Sequence, residues 1–284
     1  MFVYQAVGDA YGAAFEFLNH QRFHTNDGAT YYVQPDTRLG AGRYTDDTQM
    51  SIALAEVMLD HKVRDITGLK IADAFVSAYQ RDPRPGYATG FQNFLNTCSD
   101  GADLIARIRP DSTRSGAIMR APCVGALDNI DDVLWLSELQ ASITHDTPEG
   151  IIASQAMSLA FHYVAKRLGK KTELRAFLND ILGTETYDWS KPRMTWATIE
   201  ALDCAGSALD AYINSPTATE TLKASIFFGG DTDSVASVAM CLAWADASMP
   251  NDLDPNLIEG LENDDYGFQY LLDLSNSFTE KFLK

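Results

Sequence analysis

The stretch GRYTDDTQMSIALAE, Gly42–Glu56, sets two adjacent aspartates between threonines, just ahead of the apolar run Met50, Ile52, Ala53, Leu54 and Ala55. That order reads as a helix start, because Thr and Asp side chains accept hydrogen bonds from first-turn amides and carboxylates suit the positive end of the helix dipole. Helical spacing of apolar residues recurs along the chain. It predicts helices over Val3–Phe17, Asp46–Asp60, Leu69–Arg81, Asp131–Ser142, Pro148–Leu168, Thr172–Leu182, Thr195–Ile213, Asp233–Ala247 and Tyr266–Phe282. Thr147 is the expected cap of the Pro148 helix, and Leu168-Gly169 its expected glycine stop. Alternating β-branched strands are nearly absent, and ATYYVQPDTR (29–38) is the best extended segment. Loops 19–44, 82–90, 109–116 and 183–194 are rich in Gly, Pro, Asp and Arg, natural places for a site on a helical scaffold. The fold expected is all-α: one domain over residues 1–284, a compact orthogonal multi-helix bundle with its site at helix N-termini and loops.

A chain of 284 residues can bury a substantial core, and 46% hydrophobic with 21% charged residues is ordinary globular usage. The 22 Lys and Arg against 39 Asp and Glu give a net charge of -17, which repels nucleic-acid backbones and anionic membranes. No basic run offsets it, so neither strong nucleic-acid binding nor membrane association is expected. No segment approaches the ~20 uninterrupted apolar residues of a membrane span. The opening MFVYQAVGDAYGAAFEF lacks a basic region and carries Asp9 and Glu16, against a signal peptide. Cys98, Cys123, Cys204 and Cys241 are widely spaced with no CxxC pair, which reads as reduced core thiols in a cytoplasmic protein.

A second acidic cluster repeats the layout of the first. In FFGGDTDSVASVAM, Phe227–Met240, two glycines precede Asp231-Thr232-Asp233-Ser234 and a small-residue apolar helix follows. One helix cap needs one short polar side chain, whereas each cluster spends two carboxylates and two hydroxyls. Buried together, four carboxylates cannot all ionise without a counter-charge, and Arg43 is the one cation nearby in sequence. Hard oxygen ligands suit Mg²⁺, Mn²⁺ or Ca²⁺, and one such ion or a pair would resolve the conflict. A third element, AVGDAYGAAFEF (Ala6–Phe17), places Asp9 and Glu16 two helical turns apart on one face of its expected helix, which on a generic helix is a solvent-facing acidic stripe. Its interior glycines cost roughly 1 kcal/mol each against Ala, which points to backbone approaching a ligand or another helix.

Taken together, GDAYGAAFEF, GRYTDDTQMSIALAE, SGAIMRAPCVG, THDTPEG and GGDTDSVASVAM resemble the ADP-ribosylglycohydrolase family from Gly8 to about Ala247. The resemblance implies an all-α enzyme with two Mg²⁺ (or Mn²⁺), acting on the ADP-ribose moiety of a modified protein or small molecule and releasing ADP-ribose. It implies metal ligation by Thr45, Asp46, Asp47, Asp231, Asp233 and Ser234, the last standing where the family usually has threonine. Catalysis would fall to Glu16, as general base or orienter of the attacking water, with Asp46 and Asp47. RPDSTRSGAIMRAP resembles the family's ligand loop, usually N-G-A-A-M-R, with Ser115 for the asparagine and Ile118 for the second alanine. Backbone amides near Ser112, Thr113, Gly116 and Ala117 would then cradle pyrophosphate or ribose, with Met119 and Arg120 packing beneath. His145 of THDTPEG matches a histidine near the ADP-ribose, its alternative being a loop histidine that caps the Pro148 helix. Gly86 and Tyr87 of PRPGYATG match another ligand contact.

Two other functions stay open on the sequence. The altered ligand loop fits an ADP-ribose binder that has lost activity. The His145-Asp146 pair fits an all-α metallophosphohydrolase, although His20, His24, His61 and His162 occupy no compatible motif.

Overall fold

The computed structural model describes residues 1–18, 24–34, 39–193 and 197–284. Among them lie thirteen α-helices: α1 (Phe2–Gly12), α2 (Asp46–Asp60), α3 (Gly68–Arg81), α4 (Thr89–Leu95), α5 (Gly101–Arg107), α6 (Ile130–Ser142), α7 (Pro148–Ala165), α8 (Leu174–Leu182), α9 (Ala201–Asn214), α10 (Ala218–Phe227), α11 (Thr232–Ala245), α12 (Pro255–Glu259) and α13 (Phe268–Phe282). No sheet forms among the described residues. Two isolated bridges, Asp111–His145 and Arg114–Glu200, tie loops together. The fold is all-α.

Side-chain caps start most of these helices. Thr45 accepts from Asp47 N, Thr67 from Lys70 N, Asn129 from Asp132 N, Thr147 from Gly150 N and Thr217 from Glu220 N. Each satisfies one orphan donor of a first turn. The buried hydrophobic residues form one continuous cluster from Met1 to Phe278. At its centre α1 lies against α11, so closely that a methyl on Gly8 would collide with the Ala236 carbonyl and one on Gly12 with that of Thr232. The glycines of α1 therefore serve helix–helix contact. No described helix is long and apolar enough to cross a membrane.

Several elements differ from their sequence reading. α1 stops at Gly12, a 3-10 turn spans Ala13–Phe15, and Glu16 follows in extended backbone. Asp9 and Glu16 therefore share no helix face, and Asp9 is buried rather than part of a solvent-facing stripe. α7 ends at Ala165. Its stop is Arg167, at φ 55, with Leu168 N–H returning to Tyr163 O at 3.0 Å, and not Gly169. α9 begins at Ala201, and Thr195 lies outside the described residues. Residues 29–34 form no strand, and 35–38 are outside the described set. Helices α4, α5, α10 and α12 were not read from sequence. Three are short and bury few residues, Leu95 alone in α4 and Leu257 alone in α12, so they print no apolar stripe.

Candidate metal centre and ligand cleft

Two helix starts meet in the interior. At the head of α2, Thr45 does the capping, which leaves Asp46 and Asp47 free to face other groups. At the head of α11, Asp231 occupies the cap position but makes no side-chain capping bond. Its Oδ2 instead accepts the Ser115 hydroxyl at 2.6 Å. Ser237, one turn into α11, reaches across to Asp47 Oδ1 at 3.1 Å and joins the two clusters directly.

Carboxylate oxygens of Asp9, Asp47 and Asp233 lie within 4.8 Å of one another, and so do those of Glu16, Asp231 and Asp233. Burial, then Asp231 and Asp46, pushes the Glu16 carboxyl up to about 8. Burial raises Asp46, Asp47 and Asp233 well above the usual carboxylate range, with neighbouring carboxylates adding to it. Hard oxygen donors, no cation inside either triad and carboxyls pushed toward protonation together fit a divalent metal ion. Asp9 differs from the rest. Burial raises it to about 6, while its oxygens accept the amide and hydroxyl of Thr45 at 2.9 and 2.8 Å and those of Thr48 at 2.9 and 2.6 Å. Those four donors fill the accepting sites of a carboxylate, so Asp9 holds the first turn of α2 in place.

The acid centre forms one wall of a cleft of about 450 Å³, lined by Glu16, Asp46, Asp47, Asp231, Asp233 and Ser234. Ser112, Gly116, His145, Gly86 and Tyr87 line the same cleft. Thr45, Thr113 and Ala117 do not: Thr45 is spent on Asp9 and its cap, the Thr113 hydroxyl donates to Glu200 at 2.6 Å, and Ala117 is buried with its carbonyl taken by Gln140. Gly86, at φ +115, packs so tightly on Asp46 and Thr45 that no Cβ fits there. The Tyr87 hydroxyl donates to Gln49 at 2.7 Å and so fixes its ring in the cleft wall.

His145 is buried, and burial with the nearby Arg120 lowers it to about 3, so its imidazole is neutral at pH 7. It belongs to neither carboxylate triad and does not cap α7, a role Thr147 fills. Arg120, also in the cleft lining, bonds Gln140 and the Thr144 hydroxyl and lies over the Phe75 ring at 4.5 Å. Sequence reasoning missed Ser237 and the supporting role of Asp9. Asp9 belongs to a quoted motif, but only burial reveals its four donors, and Ser237 reads as one more small residue of an apolar helix.

Comparison with known proteins places the chain among relatives of one family and fold. The chain is 26% identical over 261 residues to ADP-ribosylarginine hydrolase Tri1 of Pseudomonas putida, covering 84% of this chain and 67% of that protein. It is 26% identical over 300 residues to ADP-ribosylhydrolase ARH3 of Mus musculus, covering 84% and 80%. Against ADP-ribosyl-[dinitrogen reductase] glycohydrolase of Rhodospirillum rubrum it is 24% identical, covering 84% and 82%. A solved ADP-ribosylglycohydrolase-related protein complex has the same fold, with TM-score 0.70, 22% identity and coverage of 98% and 95%. The family model described as ADP-ribosylglycohydrolase matches residues 2–282, and the chain belongs to the ADP-ribosylglycohydrolase family.

Proposed function

We propose that the protein is a metal-dependent hydrolase that cleaves the glycosidic bond at ribose C1″ of an ADP-ribosylated protein or small molecule and releases ADP-ribose. One observation carries the reading: two acidic helix starts, 185 residues apart, converge with Glu16 on the wall of a cleft that the ligand loop also lines. Asp46, Asp47, Asp231 and Asp233, with the Ser234 hydroxyl beside them, would hold two Mg²⁺ or Mn²⁺. Bound there, such ions supply Lewis-acid polarisation and neutralise the buried carboxylates. Glycoside cleavage passes through an oxocarbenium-like state and needs water on one face of the sugar. Glu16, at the cleft wall with Gln34 Nε2 3.4 Å from its Oε2, is the group that accepts the water's proton. Ser112, Gly116, Gly86 and Tyr87 hold the ADP-ribose, and neutral His145 backs the loop. Relatives named for ADP-ribosylarginine and for dinitrogen reductase support an ADP-ribosylated target. Four unpaired, buried cysteines support a reducing, cytoplasmic setting for a single-domain enzyme.

The deciding experiment assays Arg-, Ser- and nucleotide-linked ADP-ribose substrates with Mg²⁺, Mn²⁺ or EDTA. Release of ADP-ribose that EDTA abolishes is expected. Tight ADP-ribose binding with no release from any substrate would replace this reading with that of a binder.

A further inference from the structure

Tyr44 is the residue that leads into the first acidic pair, and one buried ion pair grips both of its backbone polar groups. Its N–H donates to Glu262 Oε1 at 3.2 Å, and its carbonyl accepts from Arg84 Nη1 at 3.1 Å. Arg84 Nη1 also meets Glu262 Oε1, closing a three-way junction. The Arg84 guanidinium lies 3.5 Å from the centre of the Tyr44 ring, so the side chain of Tyr44 is held as well as its backbone.

Both charged partners are deep in the protein, with side chains only 2% and 6% exposed. Glu262 is anchored from behind: its N–H donates to Gly42 O at 2.9 Å and its Oε2 pairs with Arg43 at 2.9 Å. Gly42, at φ +75, presses on the Gly260 carbonyl where no side chain fits. Arg84 stands two residues before Gly86, which abuts Asp46 on the facing wall of the cleft. A single pair thus joins the approach to Thr45–Asp47, the facing cleft loop and the segment between α12 and α13.

Desolvation offsets most of the attraction in a buried ion pair, and well-packed apolar residues would stabilise the fold equally well. The pair does supply a fixed geometry, since charge-assisted bonds to the N–H and the carbonyl of Tyr44 hold the two peptide units on either side of its Cα and leave little freedom in the residues that follow. We infer that Arg84 and Glu262 are positioning residues for the metal centre: by clamping Tyr44 they aim Asp46 and Asp47. The inference rests on the metal reading above, and Glu262 lies outside every motif quoted from the sequence.

A second ion pair, with a buried aspartate and a half-buried arginine, serves as the control. Arg175 of α8 bonds Asp210 of α9, Arg175 also reaching the Trp189 carbonyl at 2.6 Å, and neither residue lines the cleft. The experiment compares Glu262→Ala, Glu262→Gln and Asp210→Asn by amide hydrogen exchange of the metal-free protein and by Mg²⁺ titration calorimetry. Glu262→Ala is expected to lose protection over residues 42–50 and to weaken Mg²⁺ binding about 10-fold or more, as loss of groups that orient ligands does. Glu262→Gln should recover part of both, because its amide oxygen still accepts from Tyr44. Asp210→Asn should lose protection near 188–193 only and keep its Mg²⁺ affinity. Wild-type exchange over 42–50 in Glu262→Ala overturns the inference. A wild-type protein that binds neither Mg²⁺ nor Mn²⁺ overturns the metal reading instead, and the exchange comparison still decides the clamp. If Glu262→Ala does not fold, Arg84→Lys, which keeps the charge but loses the fork that reaches Tyr44 O, takes its place with the same two outcomes.

Discussion

Ser115 donates its hydroxyl to Asp231 Oδ2 at 2.6 Å, and Asp231 in turn leaves the first turn of α11 without a side-chain cap. The carboxylate is therefore oriented by the loop that carries Ser115 rather than by its own helix. Ser115→Ala should cost about 1 kcal/mol of stability, the worth of one buried hydrogen bond. Its larger effect should be on the reaction: kcat/KM lowered roughly 10-fold, with most of the loss in kcat, as expected when a ligand-orienting bond is removed. Denaturant unfolding together with steady-state kinetics checks both numbers.

Asp9 holds four donors from Thr45 and Thr48, all buried. Asp9→Asn turns one acceptor into a donor that faces two of them. At about 1–3 kcal/mol for each buried donor left unpaired, the variant should lose about 3 kcal/mol at pH 7. Urea unfolding measures this, and a loss under 1 kcal/mol would show that Asp9 does not secure α2.

The raised carboxyls set a pH dependence. Glu16 rises to about 8, and Asp46, Asp47 and Asp233 lie well above their usual range. A carboxyl whose folded value exceeds its unfolded one holds its proton more tightly in the fold, so stability falls as pH rises from the unfolded value toward the folded one. His145, lowered to about 3, adds no further change above the ordinary imidazole value of about 6.5. The buried Met1 amine, lowered to about 4, acts in the opposite direction, one group against four. In EDTA the Tm should therefore drop between pH 6.5 and 8, and the rise in Tm on adding Mg²⁺ should grow over the same window. Asp46→Asn should raise the EDTA Tm at pH 8 by about 2–4 °C and abolish the Mg²⁺ response.

Glu16→Gln keeps the size and the bond to Gln34 but cannot take a proton. ADP-ribose affinity by calorimetry should stay within about threefold of wild type, while kcat falls about 10²–10⁴-fold. The limb of the pH–rate profile that belongs to this group should vanish with it. Unchanged turnover would remove Glu16 from the chemistry.

Reading GRYTDDTQMSIALAE as a helix start was possible because caps and apolar spacing are local, and α2 begins and ends as expected, at Asp46 and Asp60. The long amphipathic helices were legible for the same reason. The short α4 and α12 were not, since each buries one residue and is held by its neighbours. Local pattern also misjudged the end of α1, where contact with α11 at Gly12 decides the geometry and turns Glu16 out of the helix toward Asp231 and Asp233.

Motifs alone named the acids that meet in the interior; which residues cap a helix and which face the cleft came only from packing. Thr45 caps and Asp231 does not, a difference invisible in two clusters of the same design. Asp9 and Asp47 are both buried aspartates in motifs, yet only neighbours distant in sequence make one the holder of α2 and leave the other to face Asp233. The sequence by itself determined which side chains carry the charge, because ionisable chemistry is a property of residues. The tertiary structure decided which of those charges are desolvated, paired or left facing a cleft, because burial and approach are properties of the whole fold.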